Sequence, residues 1–346
     1  MSEAYRAVQW NRDKKRYDII LAAGVALYLA VFAGVSIGAH PHITAETLLI
    51  RGFGSAAILL LHVVLCIGPL ARLDARFLPL LYNRRHLGVT LFLLALTHGV
   101  LATVQFHALG DVHPWVSILT GNPRYDSVSQ FPFQVLGWLS LFVLFAMAAT
   151  SHDFWLANLT APTWKALHMS VYVAYVLLLL HVALGVLQSE TQPIFAGLLA
   201  LGAITVFGLH ILAAIREVGE DGRPPEAADD GWVRLCRPQD IPEKRARIFP
   251  VAGERVAVFR YDGKVSALSN VCQHQNGPLG EGRIIDGCVT CPWHGFQYDP
   301  ASGKSPAPFT EEVPTFAVEI RDGVVWLDPN PRPAGTPTPP AQIEEH

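Results

Sequence analysis

Six long stretches without a single Asp, Glu, Lys or Arg lie in the first 216 residues of this 346-residue chain. Each is long enough to cross the roughly 30 Å hydrocarbon core of a bilayer as a helix, which rises about 1.5 Å per residue. Backbone polar groups in lipid must bond within their own segment, so we expect helices. The stretches are residues 19–39, 52–70, 87–110, 131–151, 166–189 and 191–215.

Basic residues beside these stretches predict the orientation of the chain. Five Lys or Arg residues precede the first stretch, four lie between the second and third, and Lys165 and Arg216 flank the fifth and sixth. The loops on the opposite side carry only Arg51 and Arg124. Since cytoplasmic loops are rich in Lys and Arg, we expect a multi-pass protein of the inner (plasma) membrane with both termini in the cytoplasm.

The composition changes after residue 216. Residues 217–230 are rich in Gly, Pro, Asp and Glu, which predicts a linker. From 231 to 328, short runs such as R-V-A-V-F-R alternate with Asp-Gly and Ala-Gly turns, which predicts a small antiparallel β domain. Residues 329–346 are rich in Pro and predict a disordered tail. The expected fold is a multi-domain membrane protein: a cytoplasmic segment 1–17, a six-helix transmembrane bundle 18–216, the linker, a small all-β domain and the tail.

Two pairs of metal-ligating side chains lie in the predicted β domain. Cys272 and His274 form a C-x-H arm, and Cys291 and His294 form a C-x-x-H arm, with 16 residues between the arms. A Rieske [2Fe–2S] cluster takes two thiolates on one iron and two imidazoles on the other. The mixed arms favour this cluster over a structural zinc site with two Cys and two His, which stays the alternative. Cys288 lies outside the pattern.

The residues around these ligands resemble the Rieske ferredoxins, through C-Q-H-Q-N-G-P-L and C-P-W-H-G-F-Q-Y-D. Quinol-oxidising Rieske proteins carry an additional Cys in each loop, and a disulfide joins the two. Gly277 and Trp293 stand at those positions here, so the resemblance implies a ferredoxin-type domain without that disulfide. It also implies that Tyr298 donates a hydrogen bond to cluster sulfur, while Phe296 replaces the Ser that does so in the quinol-oxidising proteins.

Histidines occur inside the predicted spans or at their edges, where ionisable groups are costly and usually functional. His86 and His98 are 12 residues apart on the third span, and His168 and His181 are 13 apart on the fifth. At about 1.5 Å per residue these spacings are roughly 18 and 20 Å. Because both spans run outward from the cytoplasm, His86 matches His168 in depth and His98 matches His181. Two imidazoles at each depth suit b-type haem with two His ligands, and hydrogen bonding between helices is the alternative.

The histidine spans also resemble the ferric-reductase-like transmembrane domain over about residues 51–216. The likeness is greatest to the haem-bearing membrane subunit of the bacterial periplasmic methionine sulfoxide reductase system, through R-R-x-L-G before His98 and W-x-x-L-H with a second His thirteen residues on. The resemblance implies His98 and His181 as haem ligands and His168 as a further candidate. That group tends to have an apolar residue at the position of His86, so one haem is expected and a second stays open.

These parts predict transmembrane electron transfer between a cytoplasmic Rieske [2Fe–2S] cluster and b-type haem, toward a periplasmic acceptor or quinone. We expect a separate cytoplasmic reductase as donor and no nucleic-acid partner. A membrane-tethered Rieske ferredoxin that serves a cytoplasmic oxygenase, or a quinol-linked redox subunit, would use the same parts. A Rieske oxygenase would need a 2-His-1-carboxylate iron site in a large domain after the cluster, where the sequence has only residues 329–346.

Overall fold

The computed structural model describes residues 12–81, 84–152, 155, 159, 161–221, 225, 227–293 and 295–344. Helices occupy the first part of the chain and strands the second. In chain order the helices are α1 Arg12–Ala39, α2 Ala45–Leu73, α3 Leu78–Leu81, α4 Arg84–His107, α5 Pro114–Thr120, α6 Phe133–Thr150, α7 Ala161–Met169, α8 Val171–Leu184, α9 Val186–Ser189 and α10 Pro193–Asp221. The strands are β1 Val233–Arg234, β2 Arg245–Val251, β3 Glu254–Tyr261, β4 Lys264–Ser269, β5 Arg283–Ile285, β6 Cys288–Thr290, β7 Gln297–Tyr298, β8 Thr315–Phe316, β9 Val318–Arg321, β10 Val324–Leu327 and β11 Ala341–Gln342.

The six predicted spans are confirmed, since the described residues contain six helical stretches long and apolar enough to cross a membrane. Large apolar side chains on these stretches point away from the protein, as on α10, where Leu201 is 61% and Ile204 is 68% exposed. Apolar groups exposed on this scale are costly in water and cost nothing in lipid. The chain is therefore a multi-pass membrane protein.

The second span forms the middle of the bundle. Helix α2 packs along α1, α4 and α10, while α6 packs along α4 and α8. Leu61 of α2, Leu91 of α4 and Leu144 of α6 are buried in the shared core, together with Tyr175 of α8. Ser140 sits inside this core and donates a hydrogen bond to the Ala174 carbonyl at 3.1 Å. Helices α4, α6 and α8, which carry or support the histidines of interest, are thus fixed to one another.

The fifth predicted span, residues 166–189, was expected to be one continuous helix. In the structure the helix is interrupted twice, at Ser170 and at Gly185. At Gly185 a Cβ atom would stand 2.6 Å from the Phe133 ring and 2.6 Å from the His181 carbonyl oxygen. Only glycine fits where the chain passes so close to α6. The interruption therefore comes from a contact between helices, which the local sequence did not indicate.

The predicted small β domain is confirmed as antiparallel. One sheet has the order β11-β4-β3-β2 with β8 also paired to β4, a second has the order β1-β10-β9, and a third has the order β5-β6-β7. In the largest sheet, Val258 on β3 is paired with Ala267 on β4. These two residues belong to one hydrophobic cluster, and Phe259 and Leu268, their neighbours along the strands, belong to a second cluster on the opposite face.

Four tight turns connect neighbouring strands at the predicted Asp-Gly and Ala-Gly pairs. Both residues of each pair have positive φ, with 46° and 71° at Asp262 and Gly263 as an example. Two consecutive positive φ angles define the type I′ turn, whose twist matches that of the strands it joins. The other pairs begin at Ala252, Asp286 and Asp322. Local sequence therefore predicts these hairpins correctly.

The prediction of a disordered tail is wrong for residues 329–344. Strand β11 pairs with β4, so that Ala341 lies opposite Val265. The Thr338 hydroxyl is hydrogen-bonded to that of Thr315 at 2.7 Å, and Ile343 packs against the domain core. Proline content disfavours regular structure, but the tail covers an open edge of β4 and satisfies backbone groups there. Residues 345 and 346 lie outside the described residues.

Candidate functional site

The two cysteines of the predicted cluster motif begin loops with the same backbone pattern. In each loop the Cys amide donates to the carbonyl five residues on, at 2.9 Å for Cys272 and 2.8 Å for Cys291. The amide four residues on donates back to the Cys carbonyl, at 2.7 and 2.9 Å respectively. That residue has positive φ in both loops, 59° at Asn276 and 74° at Gly295. The sequence thus folds into two matching arms, each with a cysteine at its start.

Both cysteine side chains are only 1% exposed, and their thiols are hydrogen-bonded to each other. Burial alone would raise the pKa of Cys272. Hydrogen bonds from Cys291, Tyr298 and two backbone amides outweigh burial and hold that pKa below its ordinary value. A Cβ at Gly277 would stand 2.7 Å from the Cys291 sulfur, so the first arm passes directly over the second cysteine. Two buried, adjacent cysteine sulfurs fit one iron of a [2Fe–2S] cluster.

Tyr298 contacts both the cysteine and the histidine of the first arm. Its hydroxyl is 3.3 Å from the Cys272 sulfur and accepts a hydrogen bond from the His274 amide at 3.3 Å. Burial raises the pKa of Tyr298, so its hydroxyl keeps the proton that it donates to sulfur. This contact is the one that the ferredoxin resemblance implied.

The imidazole of His274 lies against Phe296, with ring centroids 4.7 Å apart and planes 6° from parallel. The side chain is half-buried, and it lies two residues after Cys272 in sequence. His294, the fourth predicted ligand, lies outside the described residues. Within the described part of the chain, three or more metal-ligating side chains do not converge on one point. The structure therefore brings the two thiols together, while the imidazole of His274 packs against Phe296.

The predicted haem ligands His98 and His181 face each other inside the bundle. Their ring centroids are 6.1 Å apart and the rings are nearly perpendicular, at 83°. Metal–nitrogen bonds of about 2 Å on opposite sides of one iron put two imidazole centres about 6 Å apart. The pair thus fits two axial ligands of one haem iron.

Neighbouring helices fix the tautomer of both rings. Nδ1 of His98 donates to the Ile50 carbonyl on α2 at 2.9 Å, and Nδ1 of His181 donates to the Phe133 carbonyl on α6 at 2.8 Å. A carbonyl only accepts hydrogen bonds, so Nδ1 carries the proton and Nε2 carries a lone pair available to a metal. Glycines make room for the rings: a Cβ at Gly54 would stand 2.8 Å from His98, and one at Gly137 2.7 Å from His181.

Three other histidines of the bundle bond within their own helices. His62, His168 and His210 each place Nδ1 against the carbonyl four residues earlier, at 2.7, 3.0 and 2.9 Å. Nε2 of His210 accepts a hydrogen bond from the Tyr172 hydroxyl at 2.9 Å. Among these five, only His98 and His181 have Nδ1 hydrogen-bonded to a carbonyl of another helix. The partner of Nδ1 therefore distinguishes this pair from His62, His168 and His210, which also lie on predicted spans.

The second predicted pair has other contacts. Nδ1 of His86 lies 2.6 Å from an Asp18 carboxylate oxygen on α1. His168 stacks on Trp164 with ring centroids 3.6 Å apart, and its Nε2 lies 3.4 Å from the Ser151 hydroxyl. The matched depth of His86 and His168 therefore does not lead to a ring contact like that of His98 and His181. Their assignment to a second haem stays a prediction.

The β domain docks on the helical bundle through the second cluster arm. Trp293, two residues after Cys291, has its ring centroid 6.0 Å from that of Trp164, and Trp164 is the residue that stacks on His168. Beside this contact, Glu281 of the β domain lies 3.6 Å from Arg72 at the end of α2. Burial raises the pKa of Glu281, while Arg72 and Arg84 lower it. Both tryptophans lie in motifs visible in the sequence, but the sequence did not indicate that their rings are in contact.

Family models match both the helical part and the β domain of the chain. Residues 231–317 match the Rieske [2Fe-2S] domain, and residues 51–179 match the ferric reductase like transmembrane component. The first match ends before the predicted domain boundary at 328, which includes β9 and β10. Together the matches support a [2Fe–2S] cluster and a membrane electron-transfer or oxygenase-type protein.

Similarity to individual proteins lies in the Rieske part of the chain. The chain is 39% identical over 105 residues to cholesterol 7-desaturase nvd 1 of Ciona intestinalis, across 30% of this chain and 22% of that protein. It is 40% identical over 80 residues to the anthranilate 1,2-dioxygenase ferredoxin subunit of Burkholderia cepacia, across 22% of this chain and 74% of that subunit.

Among solved structures, the Sphingomonas yanoikuyae B1 ferredoxin is 31% identical with a TM-score of 0.26, and the match covers 28% of this chain and 96% of that ferredoxin. The chain spans only 22% to 32% of the length of the first three relatives, which are two desaturases and an oxygenase component. The family models and the match to the Burkholderia cepacia ferredoxin subunit lead to one conclusion. The chain belongs to the Rieske [2Fe-2S] family through its C-terminal domain, which follows a ferric-reductase-like transmembrane component.

Proposed function

We propose that this protein conducts electrons between a Rieske [2Fe–2S] cluster on the cytoplasmic side and b-type haem within the membrane, toward an acceptor on the periplasmic side. Cys272, His274, Cys291 and His294 hold the cluster, and His98 and His181 hold the haem. When bound, these groups supply the one-electron chemistry, and the protein supplies ligation, spacing and insulation. A cytoplasmic reductase acts as the donor.

The contact between Trp293 and Trp164 carries this proposal. It joins the arm that begins at Cys291 to the helix that begins the fifth span, with ring centroids 6.0 Å apart. Trp164 in turn stacks on His168 at 3.6 Å, and it is only 6% exposed. This contact brings the arm that begins at Cys291 to the end of the bundle that carries Trp164 and His168. A domain that was only tethered would need no such contact.

The matching histidine environments support the haem end of the route. The carbonyls of Ile50 and Phe133 orient His98 and His181 so that both Nε2 atoms are available to one iron. His168 lies in the same span between the Trp164 contact and His181, and we propose it as a ligand of a second haem together with His86. Asp18, which binds His86 at 2.6 Å, would then play the orienting part that the carbonyls play for the first pair.

An anaerobic stopped-flow experiment on the full-length protein tests the route. A cytoplasmic-type flavoprotein reductase would be mixed with the wild type, Cys272→Ser and, as the matched control, Cys288→Ser. We expect wild type and C288S to show reduction of the cluster followed by reduction of haem. C272S should lack the cluster EPR signal and lose haem reduction by the reductase, while dithionite still reduces its haem. Haem reduction at the wild-type rate in C272S would contradict the proposal.

A second function is favoured by the relatives whose printed names are ferredoxin components of dioxygenase systems, from Burkholderia cepacia and Pseudomonas putida. In that case the protein would be a membrane-tethered ferredoxin that delivers electrons to a separate oxygenase. The haem content of the purified protein distinguishes the two functions, because a tether would carry the cluster alone. An optical and EPR redox titration would count both kinds of centre and order their potentials.

A further inference from the structure

An open cleft of about 730 Å³ lies between the bundle and the β domain. Five arginines line it: Arg72 and Arg216 from the ends of α2 and α10, and Arg234, Arg247 and Arg255 from the β domain. Arginines from both domains thus line one space, where Arg216 also donates to the Leu73 carbonyl at 2.6 Å and Arg247 lies over the Phe249 ring. Neither the cluster arms nor the histidine pair belongs to this lining.

Carboxylates balance only part of this charge. Glu217 lies 3.4 Å from Arg72 and 3.8 Å from Arg255, and Glu281 lies 3.6 Å from Arg72. The lining contains these two acidic residues against five arginines, a surplus of three positive charges. Arginine presents a planar fork of N–H donors that matches the oxygens of phosphate. The cleft therefore suits a phosphate-bearing anion.

The cleft also has apolar side chains in its lining, beside Arg72 and Arg216. Ala71, Leu78 and Ala213 line it on the side of the bundle, at the level where the membrane-spanning stretches of α2 and α10 come to their ends. A ligand with an anionic head and an apolar body could contact both the arginines and these apolar side chains. Basic pockets at the ends of membrane helices are suited to the head groups of anionic lipids.

We propose that this cleft binds the phosphate group of an anionic ligand, with a phospholipid head group as the first source and free phosphate as the second. The bound phosphate bridges arginines of the two domains and adds to the ion pairs of Glu217 and Glu281. The site would hold the β domain against the bundle, whichever way electrons flow. This inference stands apart from the proposed function, because it needs no bound haem or cluster.

The test uses the purified, full-length holoprotein. Native mass spectrometry would count retained lipid after incubation with phosphatidylglycerol or phosphatidylcholine, and equilibrium dialysis of lipid-depleted protein would measure binding of radiolabelled phosphate. The test variant is Arg234→Gln with Arg247→Gln, which leaves the ion pairs of Arg72 and Arg255 in place. The matched control is Arg321→Gln with Arg332→Gln, which removes the same charge from the same domain outside the cleft lining.

We expect phosphatidylglycerol to bind in preference to phosphatidylcholine, and to bind at least about tenfold more weakly to R234Q/R247Q, since each arginine near a lipid surface contributes about 1 kcal/mol. The control pair should bind like the wild type. Binding of phosphate but not of either lipid, with the same loss in R234Q/R247Q, would support the site with free phosphate as its ligand. Equal binding in all three proteins, or no binding of either ligand, would overturn it.

Discussion

The β domain encloses its apolar side chains, whereas the helical bundle presents many of them outward. Phe259 and Leu268 are fully buried between the strands, but Leu201 and Ile204 on α10 are more than half exposed. The two regions also hold their candidate ligands differently. Each cysteine arm is closed by hydrogen bonds over five residues, while His98 and His181 are oriented by carbonyls 48 positions away in sequence.

The comparison shows how one chain can build candidate redox sites in two solvents. In water, a dense core supports short loops whose geometry is local. In lipid, the helices satisfy their own backbones, so the interior is free to hold polar side chains and glycine gaps beside them. The cluster site should therefore depend on the stability of its core, and the haem site on exact packing between helices.

The largest expected effect concerns the histidine pair. Replacing either member, His98→Ala or His181→Ala, removes one of the two imidazoles that we propose as haem ligands. We expect loss of the reduced b-haem α-band in both variants, with the cluster EPR signal retained. His210→Ala is the control, because Tyr172 already occupies its Nε2. Full haem content in both H98A and H181A would show that this pair is not the ligand set.

Truncation of a large apolar side chain should affect stability differently in the β domain and on the lipid-facing side of the bundle. Phe259 is fully buried in the β domain, so Phe259→Ala should destabilise that domain by about 3–5 kcal/mol. Leu201 is 61% exposed on the lipid-facing side of α10, and Leu201→Ala should change stability very little. Thermal denaturation followed through the visible absorbance of the cluster would measure both. A large loss in L201A would mean that this face of α10 packs against protein.

A smaller effect is expected from the glycine beside His181. In Gly137→Ala the new Cβ would stand 2.7 Å from the imidazole, and such overpacking costs about 1–3 kcal/mol. The ring must shift, so we expect lowered haem occupancy and an altered spectrum. Gly208→Ala, where nothing lies within 4 Å of the added atom, is the matched control. Identical haem spectra in G137A and G208A would show that the ring tolerates the displacement.

The smallest effect is kinetic. Trp164→Leu removes the ring that lies between Trp293 and His168, and Trp164→Phe keeps an aromatic ring there. We expect the rate of haem reduction through the cluster to fall about tenfold in W164L, which corresponds to about 1.4 kcal/mol in the barrier, and to fall less in W164F. Cofactor content and potentials should not change. Equal rates in all three proteins would show that electrons do not pass through Trp164. Such a result would not contradict electron transfer from the cluster to haem in the wild type.

Much of the architecture was predictable from local sequence, because it depends on composition and short-range chemistry. The six uncharged stretches, the four turn pairs and the spacing of Cys272 and Cys291 each have physical consequences within a few residues. The tail was mispredicted for the same reason. Its prolines disfavour regular structure locally, but pairing of β11 with β4 and the bond between Thr338 and Thr315 order it over a long range.

The sequence by itself determined that the chain crosses the membrane and carries a β domain with two cysteine–histidine arms. A family resemblance in the sequence singled out His98 and His181 among the bundle histidines, but the sequence did not indicate which groups orient them. Only the tertiary structure decided that His98 and His181 meet, that Trp293 reaches Trp164, and that five arginines surround one cleft. These features join residues far apart in the chain, so they depend on how helices and sheets pack rather than on the pattern within any one of them.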